Sequence, residues 1–156
     1  MVVGLTTVDT VDTGRRFVRS ARREDTEISA AGRLLHGDLT ERILGAAFDV
    51  HTALGPGLLE SAYERCLCYE LEQQGIAHEK QVEVPILYKD FTLGCGFRAD
   101  VIVQHAVLLE LKAVKQIELI HEAQLLTYLK LTGLRVGLLI NFNVSALKHG
   151  IIRRAL

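Results

Sequence analysis

From Leu134 to Phe142 the chain is almost continuously apolar. A strand with that pattern is buried on both faces, so it sits inside a sheet with further structure above and below it. The segment just before it, about Glu118 to Thr132, has helical spacing and closes at Gly133, and before that comes another apolar strand, Ala106 to Leu111. Strand, helix and strand in that order imply a parallel crossover, because two parallel neighbours need a long connection over one face of the sheet. The chain is therefore expected to be a layered α/β domain.

The rest of the chain fits that frame. Ile43, Ala47, Val50 and Leu54 recur at helical spacing, with Asp38 or Thr40 as candidate N-cap, and Gly55-Pro56-Gly57 ends that helix. A second helix is expected from about Leu59 to Gln74, stopped by Gly75. The period then changes to two over residues 81–88, where Pro85 argues for a sheet edge. Phe91 to Val103 is long for one strand, and Gly94-Cys95-Gly96 suggests a bulge within it. The expected order is ααβββαβ, with residues 150–156 as a candidate further edge strand. With 156 residues and 49% hydrophobic content, one domain can bury a sizeable core.

Residues 1–36 show no sustained period and hold six Arg against five acids, five of those Arg lying between Arg15 and Arg23. They read as a flexible N-terminal extension to a folded domain at 37–156. No apolar run approaches the roughly 20 residues that span a bilayer, so no membrane partner is expected. Cys66, Cys68 and Cys95 have no metal-ligand spacing and read as reduced core thiols of a cytoplasmic protein. The net charge of −1 lacks the global basicity of many DNA binders, so phosphate contacts would need a local patch or bound cations. Lys115, Lys130, Lys148, Arg153 and Arg154 are candidates for such a patch, with ordinary solvated surface as the simpler reading.

Three charges interrupt this greasy pattern: Asp100 on one strand, then Glu110 and Lys112 on the next. Charges are seldom buried without a partner, and a bound cation would account for all three. Alternation puts Glu110 and Lys112 on one face, and likewise Arg98, Asp100 and Ile102. A two-residue turn at Gln104-His105 would face Asp100 away from Glu110. A three-residue loop or a bulge would set them opposite, with Cβ atoms about 5 Å apart. Two such carboxylates can share a Mg²⁺ at about 2.1 Å from each ligand oxygen. Glu60 falls inside the apolar arc of the second helix beside the glycine loop, as does Glu70 farther along, and Gln124 and Tyr128 share a stripe of the third helix. His51 and His121 read as structural histidines.

Gly57-Leu58-Leu59-Glu60-Ser61-Ala62-Tyr63 resembles the signature of the GxxExxY protein family, which is assigned to the PD-(D/E)XK nuclease superfamily. The resemblance runs from about Leu39 to the C-terminus. It includes Phe97-Arg98-Ala99-Asp100, Glu110-Leu111-Lys112-Ala113, and His121-Glu122-Ala123-Gln124-Leu125. Gln124 and Tyr128 also resemble the Q-x-x-x-Y motif of the exonuclease-type branch. Cys95-Gly96 departs from it as a small insertion, and residues 1–36 lie outside it.

This resemblance implies a restriction-endonuclease-like mixed sheet flanked by helices, hydrolysing nucleic-acid phosphodiesters with Mg²⁺ or Mn²⁺. Asp100, Glu110 and the Leu111 carbonyl would hold the metal, with Glu60 completing or orienting the site. Lys112 would position the attacking water and offset charge on the phosphate, and Gln124 and Tyr128 would support the site or hold the nucleic-acid backbone. DNA is placed ahead of RNA as substrate, and a homodimer is compatible with the apolar Leu134–Phe142 strand and a terminal edge strand. Two other readings stand beside this one. One is a silent nucleic-acid-binding or accessory module on the same fold. The other is a hydrolase of a small phosphate ester, which would need a closed pocket.

Overall fold

The computed structural model describes residues 34–156. The N-terminal Arg cluster and nearly all of the expected extension lie outside the described residues. The elements are α1 (Gly37–Leu54), α2 (Glu60–Gln73), β1 (His78–Tyr88), β2 (Phe91–Val103), β3 (Val107–Lys112), α3 (Leu119–Thr132), β4 (Val136–Asn141), a 3₁₀ turn (Leu147–Gly150) and β5 (Ile151–Ala155). The five strands form one sheet in sequence order. Only β3 and β4 are parallel, joined by the α3 crossover, and every other pairing is antiparallel.

The sheet divides the core in two. Val101, Val103, Val107, Leu109, Leu111, Val136, Leu138 and Ile140 pack with α1 and α2. Ala99, Ile102, Leu108 and Leu139 pack with Leu125 and Leu129 of α3. All of β4 is buried, which is why that segment carries so few polar residues. As Pro85 suggested, β1 is an outer strand, and the candidate terminal strand forms as β5 on the opposite edge.

Several local expectations need correction. α1 begins at Gly37 after His36 in a left-handed conformation (φ 52°), with no side-chain cap. Asp38 therefore lies in the first turn and Thr40 is buried inside the helix. Leu54, expected on an apolar face, is 42% exposed, and Leu59, expected to open the second helix, precedes it and is 77% exposed. On α3 the buried residues are Leu125, Leu129 and Thr132, which leaves Gln124 and Tyr128 half-buried one position round the helix. Of the cysteines, Cys68 is buried and its thiol is pushed up to about 11, chiefly by burial, whereas Cys66 is half-buried and Cys95 exposed. Cys95 is exposed because it sits in the bulge. The β1–β2 register slips between Val84 and Ile86, opposite Gly94-Cys95-Gly96. A Cβ on Gly96 would come within 2.1 Å of the Ile86 side chain, so that position needs glycine for the bulge to close.

The largest departure from simple alternation lies at Asp100. Ala99 and Phe97 pack on the α3 side, while Val101 and Val103 pack on the α1–α2 side. A regular strand would point all four the same way. The strand thus changes face across Asp100, and the expected common face of Arg98, Asp100 and Ile102 does not exist. The partner strand is irregular at the same rung. Lys80 pairs with Val101 and Val82 with Ala99, while Gln81 between them has φ 53°.

Candidate active site

β3 carries its charges at its C-terminal end, where the parallel pairing with β4 fixes the backbone through Lys112 opposite Asn141. The Lys112 Nζ donates to Glu110 Oε1 at 2.7 Å. Glu110 is only 5% exposed, and its second oxygen, Oε2, is buried with no hydrogen-bond partner. Leaving such an acceptor unsatisfied costs about 1–3 kcal/mol. Burial first, and the neighbouring Asp100 second, push the Glu110 carboxyl up to about 7 against the pull of Lys112. For Lys112, burial acts to lower its pKa, but Glu110, Glu60 and Asp100 outweigh that and hold it above its ordinary value.

Asp100 reaches this pair through the hairpin. Val103 pairs with Val107, so the loop is the three-residue Gln104-His105-Ala106, with Gln104 and His105 both at positive φ. The pairing runs to Val101 and Leu109, and Asp100 lies just beyond it, beside Glu110. The Asp100 Oδ2 accepts the Leu111 backbone N–H at 2.8 Å. Burial raises the Asp100 pKa, opposed by that N–H, by Lys112 and by a hydrogen bond from Gln81.

Glu60 is the first residue of α2 and half-buried, and its charge acts on both Glu110 and Lys112. Tyr63, one turn later, fixes where that helix starts. Its hydroxyl donates to the Gly55 carbonyl at 2.6 Å and accepts the Leu58 N–H at 3.1 Å, so it closes the Gly55-Pro56-Gly57 loop upon itself. Its ring stacks on Phe142 at 4.6 Å, just past the end of β4. The glycine-to-tyrosine signature thus has a physical content: Tyr63 ties the loop that delivers Glu60 to the sheet end. Glu70, the competing carboxylate, instead lines a groove between α1 and α2 with Tyr69 and Asp49.

From the other face, α3 brings Tyr128, whose ring stacks on Phe97 at 3.8 Å. Burial, then the charge of Glu110, raises its pKa, which places it in the same field as the acids. Gln124 is half-buried one turn earlier on the same helix. His121 accepts the Glu118 N–H in the α3 capping box, and His51 Nε2 lies 2.8 Å from the Val144 carbonyl, so both are structural. The proposed basic rim thins out: Arg154 pairs with Glu122 and Arg153 Nη2 donates to the Leu35 carbonyl, leaving Lys115, Lys130 and Lys148 exposed.

Sequence reasoning missed two residues here. Asn141 clamps the loop after Lys112: its side chain donates to the Val114 carbonyl (2.9 Å) and accepts from the Val114 N–H (3.1 Å). A lone amide in an apolar strand was its only signal. Gln81 is the other, and its strand position gave no sign of a positive φ.

A family model of the PD-(D/E)XK nuclease superfamily matches residues 37–154. The chain belongs to that superfamily. Comparison with curated proteins and with solved structures gives no match. The five-stranded mixed sheet between helices is the restriction-endonuclease-like architecture of PD-(D/E)XK proteins, and a nuclease-like function follows in general terms. PD-(D/E)XK nucleases generally use divalent metal ions such as Mg²⁺. Among the described residues, no group of three or more His, Cys, Asp or Glu side chains forms a metal cage by itself. Asp100 and Glu110 lie in each other's field, and hard Mg²⁺ accepts a set of two carboxylates because it keeps several waters. Among the described residues, the unpartnered, buried Glu110 Oε2 is the observation that favours a cation here. No helix of the described residues is long and apolar enough to cross a membrane.

Proposed function

We propose that this chain is a metal-dependent nuclease of the GxxExxY group that hydrolyses nucleic-acid phosphodiesters, DNA ahead of RNA, with Mg²⁺ or Mn²⁺. The reading rests on one observation above all: Glu110 is buried beside Asp100 with one oxygen held by Lys112 and the other held by nothing. Asp100, Glu110 and the Leu111 carbonyl would hold the ion, and Glu60 would complete or orient the site. A bound divalent ion polarises the phosphodiester and lowers the pKa of a water on it. Lys112 keeps its proton in the field of three carboxylates, so it can hold the attacking water and offset charge on the phosphate. Gln124 and Tyr128 line the approach from α3. Asp100, Glu60, Gln124 and Tyr128 are half-buried at the sheet end, which suits an open groove for a strand better than a closed pocket for a small ester. The free thiols of Cys66, Cys68 and Cys95 suit a reducing, cytoplasmic setting. β5 pairs with β4 on one side and is the edge of the sheet on the other, which offers a surface for a homodimer.

The test is cleavage of labelled single- and double-stranded DNA and RNA with Mg²⁺, Mn²⁺ or EDTA, alongside Lys112→Ala and Asp100→Ala. Metal-dependent cleavage lost in both variants is expected. Cleavage that persists in the variants would put the site elsewhere. Mn²⁺ bound through Asp100 with no substrate cut would favour the silent accessory module.

A further inference from the structure

Gln81 has three unusual properties together. It is a non-glycine residue inside a strand at φ 53°, a left-handed conformation that is unfavourable for most side chains. It lies on the rung opposite Asp100, between the Lys80–Val101 and Val82–Ala99 pairs, where both strands leave regular geometry. Its side-chain nitrogen donates to the Glu64 carboxylate on α2, one turn beyond Glu60, and from the facing strand its side chain acts on the Asp100 carboxyl. Backbone strain of this kind persists only where surrounding contacts hold it, and here the contacts lead to the acidic site.

We propose that Gln81 is a positioning residue: its side-chain amide, held by Glu64, fixes the orientation of the Asp100 carboxylate. The chemistry suits the place. Ionised carboxylates only accept hydrogen bonds, and a primary amide offers two N–H donors. A glutamine between Glu64 and Asp100 can therefore satisfy both without adding charge, where a Lys would compete with the cation and a Glu would add repulsion. The left-handed backbone is the distortion that turns the Gln81 side chain out of the strand's alternation and toward both acids. Glu64 thereby links α2, which also carries Glu60, to the strand facing Asp100, so two acidic elements of the site are held in register by one amide.

This inference rests on the metal-site reading above, and the experiment separates the two. Mn²⁺ affinity is measured by calorimetry for the wild-type chain, Gln81→Gly and Gln81→Asn, with the Tm of each and the binding of a labelled oligonucleotide in EDTA. Glycine accepts the positive φ and removes the amide, while asparagine accepts the φ and keeps an amide one methylene short of its two partners. Loss of a partner that orients a metal ligand typically weakens affinity about 10–100-fold. That loss is expected in both variants, with oligonucleotide binding unchanged and the Tm of Gln81→Gly held, since relief of strain offsets the lost hydrogen bonds. Unchanged Mn²⁺ affinity in either folded variant overturns the role of Gln81 while leaving the metal site standing. Weakened oligonucleotide binding in EDTA overturns it too, making Gln81 a substrate contact. Absence of Mn²⁺ binding to the wild-type chain overturns the metal-site reading and this inference together.

Discussion

Replacing Glu110 with Gln is expected to make the metal-free protein more stable at alkaline pH while abolishing its metal response. The Glu110 carboxyl stands near 7 in the folded chain against 4.5 ordinarily, because burial and Asp100 disfavour its charge. For an acid whose folded pKa is raised, stability is fully present below the unfolded value and is lost as pH rises through the folded one. Between pH 5 and 8 the wild-type fold therefore gives up stability that Glu110→Gln keeps. At about 1.4 kcal/mol per tenfold change in proton affinity, the difference is at most about 3 kcal/mol. Gln retains a carbonyl oxygen for the Lys112 Nζ, and Lys112 keeps the fields of Glu60 and Asp100, so little is lost in exchange. For a domain of this size, 3 kcal/mol corresponds to about 10 °C in Tm. Thermal melts in EDTA at pH 5.5 and 8.0 read the effect directly, the variant pulling ahead at pH 8.0. With saturating Mn²⁺ the wild type should recover, by about 2.7 kcal/mol at a hundredfold excess over Kd, and the variant should not. A variant no more stable than wild type at pH 8.0 in EDTA would refute the claim that Glu110 is held there at a cost.

Metal-free wild type should itself melt lower at pH 8.0 than at 5.5, since Asp100 is raised in the same direction, and divalent metal should flatten that slope in the same melts. Lys112→Ala should lose cleavage while retaining Mn²⁺ binding by calorimetry, because the amine bonds Glu110 and is not itself a ligand. Tyr63→Phe removes the hydroxyl that closes the glycine loop and should cost about 1–2 kcal/mol in urea denaturation, with a further drop in cleavage as Glu60 loosens. Gly150→Ala should destabilise by about 1–3 kcal/mol, since its Cβ would fall 2.2 Å from the Asn141 carbonyl oxygen and neither backbone can yield cheaply.

The architecture was readable because periodicity reports burial: the all-buried β4 and the α3 crossover announced the parallel pair, and Pro85 announced the edge. Asp100, Glu110 and Lys112 stood out because charges in apolar strands need explaining. The hairpin register was left open between two loops, and a local sequence without glycine did not choose; Gln104 and His105 both adopt positive φ to make the three-residue version. The face change at Asp100 was illegible for a different reason. Alternation is a rule about one strand, whereas this break is shared by two, with Gln81 on β1 answering Asp100 on β2.

The two acids of the site are not equally anchored. Glu110 lies within a six-rung ladder to β4, while Asp100 lies beyond the three rungs that join β2 to β3. Local opening should therefore release the Asp100 side long before the Glu110 side, as short, peripheral ladders fray first. The Leu111 amide, which ends on the Asp100 carboxylate, straddles that boundary. Its hydrogen-exchange rate is a built-in gauge of how often the two halves of the site come apart.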